Sequence, residues 1–456
     1  MVNLPTAELL DELVHTSIEY ASDVDEFDAA TLTATACERI AAPRIGEAPA
    51  SFECVLHSTM DLGSSTWVMG TVVYAHFRAR PAGDDFTMDP ARLCPLGRMP
   101  GHTFCTKMNV VPRNRIEVQA LRTAVATAID EPLTFTEREV PEPGPGEVLV
   151  KITACGVCYT DLDVLQGHWP IARFPVVPGH EITGVVAATG PGVSWPEAGT
   201  SVGTQILGDS CRHCDYCVRG EQILCRQKRF TGIVMDGGYA EYAVLKADFV
   251  IPLPDGLDPV AAAPLMCAGL TAFNSLRQAG ITPTSRVAIV GAGGVGALAV
   301  RYAVAMGARV AVISRSNRRE AAAREMGAER FIATEDSDPA EALRAWDGGA
   351  DLILNSSPST SAAAATFTGL VPDGTLVLCG YGPEPLSLPA EPMALNRLHV
   401  MANPSGSPHD TRDTLAFSAA HGILPEFTPI DLRDANTVLD AMAKGDSGKR
   451  SVITFN

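Results

Sequence analysis

The chain is short of positive charge. Of its 456 residues, 35 are Lys or Arg and 53 are Asp or Glu, a formal net charge of −18. An acidic surface repels phosphate backbones and anionic lipid, so neither nucleic acid nor a membrane surface is an expected partner. A long unbroken apolar run is missing as well. The longest apolar stretch, Val287 to Ile313, contains five glycines together with Arg301 and Arg309. That composition fits a buried strand–helix–strand rather than a membrane span. The first residues, MVNLPTAELLDELVH, are acidic where a secretion signal has a basic region and an apolar run. The expected location is the cytoplasm. Twelve cysteines are too sparse for a disulfide scaffold in a chain of this length. There is no internal repeat and no low-complexity tract. What the sequence does have is 46% hydrophobic residues, 40 Gly and 33 Pro. This is a turn-rich globular composition with ample core, long enough for roughly two to four domains.

The texture changes along the chain. In residues 1 to about 116 an amphipathic helix is expected over 6–19, opened by Thr6, with Leu9, Leu10, Leu13 and Val14 on one face. From Ser51 to Phe77 the pattern reads as paired strands, FECVLH and TWVMGTVVYAHF, around a turn at Asp61-Leu62-Gly63. Here His57, His76 and His102 are scattered, and Cys37, Cys54, Cys94 and Cys105 show no ligand spacing. Satisfied or surface histidines and buried thiols are the expected reading. From Val140 a Pro/Gly-rich turn leads into closely spaced strands: EVLVKITACG, EITGVVAATG, TSVGTQIL and GYAEYAVL. Beyond Ala268 strands alternate with helices. VAIVGAG and ARVAVISRS are strands, GVGALAVRYAVAMGA and NRREAAAREMG helices, and ERFIAT, DLILNSS and TLVLCGYG continue the series. Such alternation gives a parallel, doubly wound sheet.

Three motifs carry chemistry. Cys211, Cys214, Cys217 and Cys225 lie on one short knuckle bracketed by Gly208 and Gly220. Four thiolates can close a tetrahedron around zinc, and with every position filled by sulfur the site is structural. The alternative is four unrelated buried cysteines, and His213 is the only rival ligand. The second motif is ACGVCYTD at 154–161 together with PGHE at 178–181. Cys158 and His180 could ligate a metal, with Cys267 in PLMCAGLT a candidate for the third ligand. An open site keeps its fourth position for water or substrate. The third is Gly291, Gly293, Gly294 and Gly296, a GxGGxG turn between a strand and a helix. It lets backbone approach a pyrophosphate at a helix N-terminus. An NAD-binding chain places a carboxylate at the end of the next strand. Here Ser314, Arg315, Ser316, Asn317, Arg318 and Arg319 stand in that place. Guanidinium groups there favour the 2′-phosphate of NADP. Arginine in a first helical turn also opposes the macrodipole, a cost that a nearby anion would offset.

Residues 118–456 resemble the zinc-dependent medium-chain alcohol dehydrogenases, in particular their NADP-dependent, cinnamyl-alcohol-dehydrogenase-like branch. The resemblance is carried by GVCYTDL, PGHEITGVV, the four-cysteine lobe, PLMCAGLTAF and VAIVGAGGVG. It implies an α/β chain: a GroES-like, β-rich catalytic domain over 118–267 with a structural zinc lobe at 208–226, a Rossmann domain over 268–399, and a C-terminal part, 400–456, completing the catalytic domain. It also implies two zinc ions. The catalytic one is held by Cys158, His180 and Cys267, with Glu181 as an alternative ligand or supporting carboxylate. Asp161 would orient the ligand histidine, Thr160 take the alcohol proton, Thr271 contact the nicotinamide, and Trp169 border the substrate. Cys155 matches no ligand position. Tyr159 and Asp163 depart from the family, which commonly has His or Arg at the first and the proton-relay histidine at the second. The implied substrates are small alcohols and aldehydes, and a homo-oligomer is expected. Residues 1–116 resemble part of a flavin reductase-like, FMN-binding split barrel, through AAPRIGEAPASFECVLHS, GTVVYAHF and ARLCPLGRMPGHTF. The early strands that help hold the flavin phosphate are missing from the resemblance, so tight FMN binding is not expected.

Overall fold

The computed structural model describes residues 2–4, 28, 31–48, 50–61, 66–77, 97–98, 104–105, 121–445 and 448–455. The chain divides into two units, Met1–Ile116 and Glu117–Asn456. In the first, Ala50–Asp61 and Thr66–Phe77 form an antiparallel pair, and Val2–Leu4 adds to the outer side of Ala50–Asp61. The paired strands expected between Ser51 and Phe77 are therefore present. The expected helix over 6–19 and the centre of the turn, Leu62 and Gly63, lie outside the described residues.

The second unit contains two large sheets. The first is seven-stranded. Its centre is Glu147–Gly156, flanked on one side by Glu181–Thr189 and then Ser201–Thr204 and Val250–Pro252. Tyr242–Lys246 pairs with the same central strand, and so does Arg450–Thr454 from the end of the chain, followed by Phe427–Ile430. The C-terminal residues thus return to the sheet that begins near residue 147. β-Branched residues fill this sheet, and Val148, Val150, Ile152, Ile182, Val186 and Ile453 form one buried cluster.

The second sheet has six parallel strands in spatial order Arg330–Ala333, Arg309–Ser314, Arg286–Val290, Ala350–Asn355, Leu370–Leu378, His399–Ala402. Numbered by sequence, the order is 3-2-1-4-5-6, the dinucleotide-binding arrangement with a crevice beside the first strand. RVAIV is apolar after its first residue because helices cover both faces of a parallel strand. The helix Gly294–Ala305 buries Leu298, Ala299 and Tyr302. The Tyr302 hydroxyl bonds Ser418 Oγ at 2.7 Å, and its ring meets Phe273 edge-on at 5.5 Å. Ser418 belongs to Pro408–His421, a helix opened by a Ser407/Asp410 capping box and closed by left-handed Gly422. The sheet's last strand carries the parallel fold to Ala402, slightly beyond the sequence boundary at 399.

Candidate active site

Cys158 is the N-cap of the helix Tyr159–Leu165, and Cys267 that of Ala268–Gln278. N-terminal helix dipoles favour thiolate at such positions. His180 follows a turn whose Gly179 has φ +96, where a Cβ would lie 2.4 Å from the Tyr239 ring. These elements bring Cys158, His180, Glu181 and Cys267 together, with their ligand atoms all within 4.8 Å. His180 and Glu181 are fully buried.

The donor set fits a metal. The Cys158 and Cys267 sulfurs are 3.9 Å apart. A tetrahedron with ~2.3 Å metal–sulfur bonds has an edge of roughly 3.8 Å. Both ring nitrogens of His180 are buried without a hydrogen bond, Nδ1 although it lies 3.2 Å from an Asp161 oxygen, a costly state for polar atoms that nothing coordinates. The Cys267 thiol, donating to Cys158, holds the latter well below the usual thiol range, while Cys267 is pushed up by Cys158 and by burial. Burial drives the Glu181 carboxyl up to about 8, against the pull of Arg450.

Asp161 organises the cluster. One carboxylate oxygen accepts the Cys158 backbone N–H at 2.8 Å and the Tyr239 hydroxyl at 3.0 Å. The other lies 3.2 Å from His180 Nδ1 and accepts the Gly179 N–H at 3.3 Å. Thr160 is half-buried on the same short helix. Asp163 lies three residues further along the helix, 3.1 Å from His168 Nδ1. Cys155 is buried and stands apart from the four-residue cluster.

Arg450 joins this cluster to the dinucleotide crevice. Its guanidinium pairs with Glu181, and a Cβ on Gly294 would meet its Nη1 at 3.3 Å. Gly291 adopts φ +93, and a Cβ on Gly296 would lie 2.0 Å from Gly291 O. Gly293 caps the following helix with no side chain of its own, leaving the first N–H groups free of side-chain caps. A Cβ on Gly293 would meet nothing within 4 Å, so its hydrogen looks into open space where a ligand fits. Ser314 ends the second strand. Ser316 caps a 3-10 turn, Asn317–Arg319, that precedes the helix Glu320–Glu325. Arg318 and Arg319 therefore sit in that turn, not in the helix's first turn where the sequence pattern places them, and Arg315 lies just before it, after the strand end. Arg319 Nη1 donates to Ala292 O at 2.7 Å, tying this turn to the glycine loop. Arg315 and Arg318 are exposed and pair with no carboxylate among the described residues. Thr271 lies one turn after Cys267, with its N–H on Cys267 O at 2.8 Å. Trp169 packs edge-on against Phe230 at 5.5 Å.

The knuckle also closes: Cys211, Cys214, Cys217 and Cys225 have sulfurs within 4.8 Å of one another. The Cys214 N–H points to Cys211 Sγ and the Gln227 N–H to Cys225 Sγ. The His213 backbone N–H is the main influence holding Cys211 down at about 6. His213 itself turns its ring to the Cys211 carbonyl, 2.6 Å away, and is not in the cluster.

The first unit holds one grouping that sequence spacing did not reveal. Cys37, Glu53 and His76 come together within 4.8 Å. Glu53 is fully buried and accepts the backbone N–H groups of Glu38, Arg39 and Ile40 at 2.7, 2.6 and 3.1 Å, with His76 Nε2 at 2.5 Å. Burial would raise this carboxyl, but those donors outweigh it and hold it near 2. Its acceptor sites are filled by the protein, which marks it as a strap for the 38–40 segment. The side chains of His57, His102, Cys94 and Cys105 lie outside the described residues.

Sequence reading missed Arg450, 269 residues from its partner Glu181, and the roles of Tyr239 and His168. Only Tyr239, in GGYAEY, left a trace, as a bulky residue after two glycines.

Comparison with known proteins agrees with this geometry. The family model for the alcohol dehydrogenase GroES-like domain matches residues 144–255, and that for zinc-binding dehydrogenases matches 294–420. The flavin reductase like domain matches 1–97. An alcohol dehydrogenase of Geobacillus stearothermophilus is 36% identical over 334 residues, 73% of this chain and 99% of that one. The NADP-dependent alcohol dehydrogenase C of Mycobacterium tuberculosis is 37% identical over 73% of this chain and 97% of its own. The structure of a cinnamyl alcohol dehydrogenase from Sorghum bicolor, 32% identical, superposes with a TM-score of 0.67 over 74% of this chain and 98% of that one. With a GroES-like sheet, a Rossmann sheet and these relatives, the chain belongs to the zinc-binding alcohol dehydrogenase family, extended at its N-terminus by a flavin reductase-like domain.

Proposed function

We propose that the protein interconverts alcohols and aldehydes with NADP(H) as its preferred cofactor, using one zinc ion at Cys158, His180 and Cys267 and a second at Cys211, Cys214, Cys217 and Cys225. The observation that carries this reading is Arg450. It pairs with Glu181 of the ligand cluster and lies against Gly294 of the glycine loop, so the proposed metal and dinucleotide sites are neighbours.

Zinc there would polarise the substrate oxygen as a Lewis acid, and the nicotinamide would carry the hydride. The chain's own groups do the rest. The N–H groups after Gly293 face the pyrophosphate. Arg315 and Arg318 hold the 2′-phosphate, while Arg319 fixes their turn to the loop. Asp161 keeps His180 oriented. Thr160 exchanges the hydroxyl proton. Asp163, three residues on along the same helical face, carries it outward together with His168. This pair takes the place of the family's relay histidine. Trp169 borders the substrate, whose class is a small alcohol or aldehyde. No FMN is assigned to residues 1–97, and a colourless purified protein is expected.

Initial rates of aldehyde reduction with NADPH and NADH, before and after chelation, test the reading. Faster turnover with NADPH, abolished by chelation, is expected. Turnover with equal efficiency on both cofactors would remove the NADP assignment, and turnover that survives loss of both metals would remove the zinc one.

A further inference from the structure

Tyr239 is a large, fully buried side chain whose hydroxyl has one polar partner, the carboxylate of Asp161 at 3.0 Å. Its neighbourhood explains why it is held there. Residues 237–239 run along 177–179: the N–H groups of Gly237, Gly238 and Tyr239 donate to Val177 O, Gly179 O and Pro178 O at 2.7, 2.9 and 3.0 Å. The Tyr239 carbonyl accepts from the Ala124 N–H at 2.9 Å. The backbone is therefore anchored independently of the side chain. The ring then reaches past Gly179, where a Cβ would strike it at 2.4 Å, to bring the hydroxyl to Asp161.

We propose that Tyr239 is a positioning residue for the catalytic metal: its hydroxyl fixes the Asp161 carboxylate, and through it the ring of His180. Asp161 is almost fully buried and must hold two geometries at once, the cap on the Cys158 N–H and the contact with His180 Nδ1. A buried carboxylate held by the Cys158 and Gly179 N–H groups and by a hydroxyl donor is locked in rotation, so the imidazole it touches is locked as well. Carboxylates behind a ligand histidine set its tautomer and basicity, and their loss typically weakens metal binding by roughly 10–100-fold. Tyr239 acts one bond further out, so a smaller effect is expected. The inference rests on the zinc reading of the Cys158, His180 and Cys267 site.

The test compares zinc-loaded full-length wild type, Tyr239→Phe, Asp161→Asn and Cys158→Ser. Phe keeps the ring that fills the space beside Gly179 and all the backbone anchors, and removes only the hydroxyl. Metal content identifies the ion that Cys158→Ser fails to hold. Release of that ion to a chromophoric chelator is then timed in the other proteins. Tyr239→Phe should release it roughly 3- to 10-fold faster than wild type, and Asp161→Asn faster still. The visible bands of the cobalt-substituted Phe variant should shift, because the imidazole relaxes. A purely structural hydroxyl would lower the unfolding temperature while leaving release rate and cobalt spectrum at wild-type values, and that result overturns the role given to Tyr239. If instead Cys158→Ser retains as much zinc as wild type, the site reading itself falls, and this inference with it.

Discussion

Replacing Arg315 with Asp should reverse the cofactor preference. Arg315 is exposed, follows the strand end Ser314, and forms no ion pair among the described residues, so its guanidinium is free for a 2′-phosphate. A charge-assisted contact of this kind contributes about 1.5–3 kcal/mol, and exposure argues for the lower end. An aspartate in its place adds repulsion of about 1 kcal/mol against a doubly charged phosphate several ångströms away in a water-like dielectric. Together these effects cost NADPH about 2.5 kcal/mol, or roughly 70-fold in kcat/KM. NADH gains a carboxylate able to accept from the ribose hydroxyls, worth about 1 kcal/mol or roughly 5-fold. The NADPH-to-NADH ratio should therefore move by roughly two to three orders of magnitude, and by less at high ionic strength because the site is open to salt. Steady-state kcat/KM for both cofactors at two salt concentrations measures this. A ratio that stays within a factor of about 3 of wild type would refute the assignment of the 2′-phosphate to this turn, whatever the overall activity.

The glycine loop offers a paired test. Gly296→Ala places a Cβ 2.0 Å from Gly291 O and should lower stability by about 1–3 kcal/mol in denaturant titration. Gly293→Ala meets no protein atom within 4 Å and should leave stability unchanged while weakening NADPH binding, measured by fluorescence titration. Cys211→Ser should remove one zinc by metal analysis and lower stability by several kcal/mol, on the order expected for a structural site. Cys158→Ser should remove the other zinc and the activity, with a smaller effect on unfolding. Glu329 is held near 2 first by its bond to Arg309, and also by Trp346 Nε1. Its folded pKa lies below the unfolded value, so its contribution is complete above about pH 4.3 and is lost as pH falls toward 2. Both partners of the ion pair are more than a third exposed, which limits that contribution to about 1 kcal/mol. The stability gap between wild type and Glu329→Gln should accordingly be constant from pH 7 to 5 and narrow by pH 3.5 in urea unfolding.

What was legible in the sequence was whatever is local in the chain. The four-cysteine knuckle spans fifteen positions, and the glycine loop lies between a strand and a helix that are its immediate neighbours. In each, spacing alone limits the geometry. The alternation of strands and helices after Ala268 fixed the parallel sheet for the same reason, since right-handed crossovers leave few other topologies. The Cys37–Glu53–His76 grouping was invisible because antiparallel pairing places Ser51 opposite His76 and Phe52 opposite Ala75, a register that spacing does not encode. Arg318 and Arg319 read as helical in the sequence because a 3-10 turn and a first α-helical turn share nearly the same sequence preferences.

The active site shows where local reading stops. Cys158, His180 and Cys267 stand out as candidates in their motifs but become one ligand set only through the resemblance, since their separations of 22 and 87 residues carry no geometric constraint of their own. Arg450 lies in the final strand, and nothing near it suggests catalysis. It reaches Glu181 only because Arg450–Thr454 pairs with Glu147–Gly156, whose Gly156 is opposite both Glu181 and Val452. That one register decision sets the Arg450 guanidinium between the Cys158–His180–Glu181–Cys267 cluster and the glycine loop. Burial already drives the Glu181 carboxyl up to about 8 against the pull of Arg450, so loss of that guanidinium would push it further toward the neutral form. The proximity of the ligand cluster to the glycine loop is thus a property of strand order, which the sequence specifies only through the whole fold.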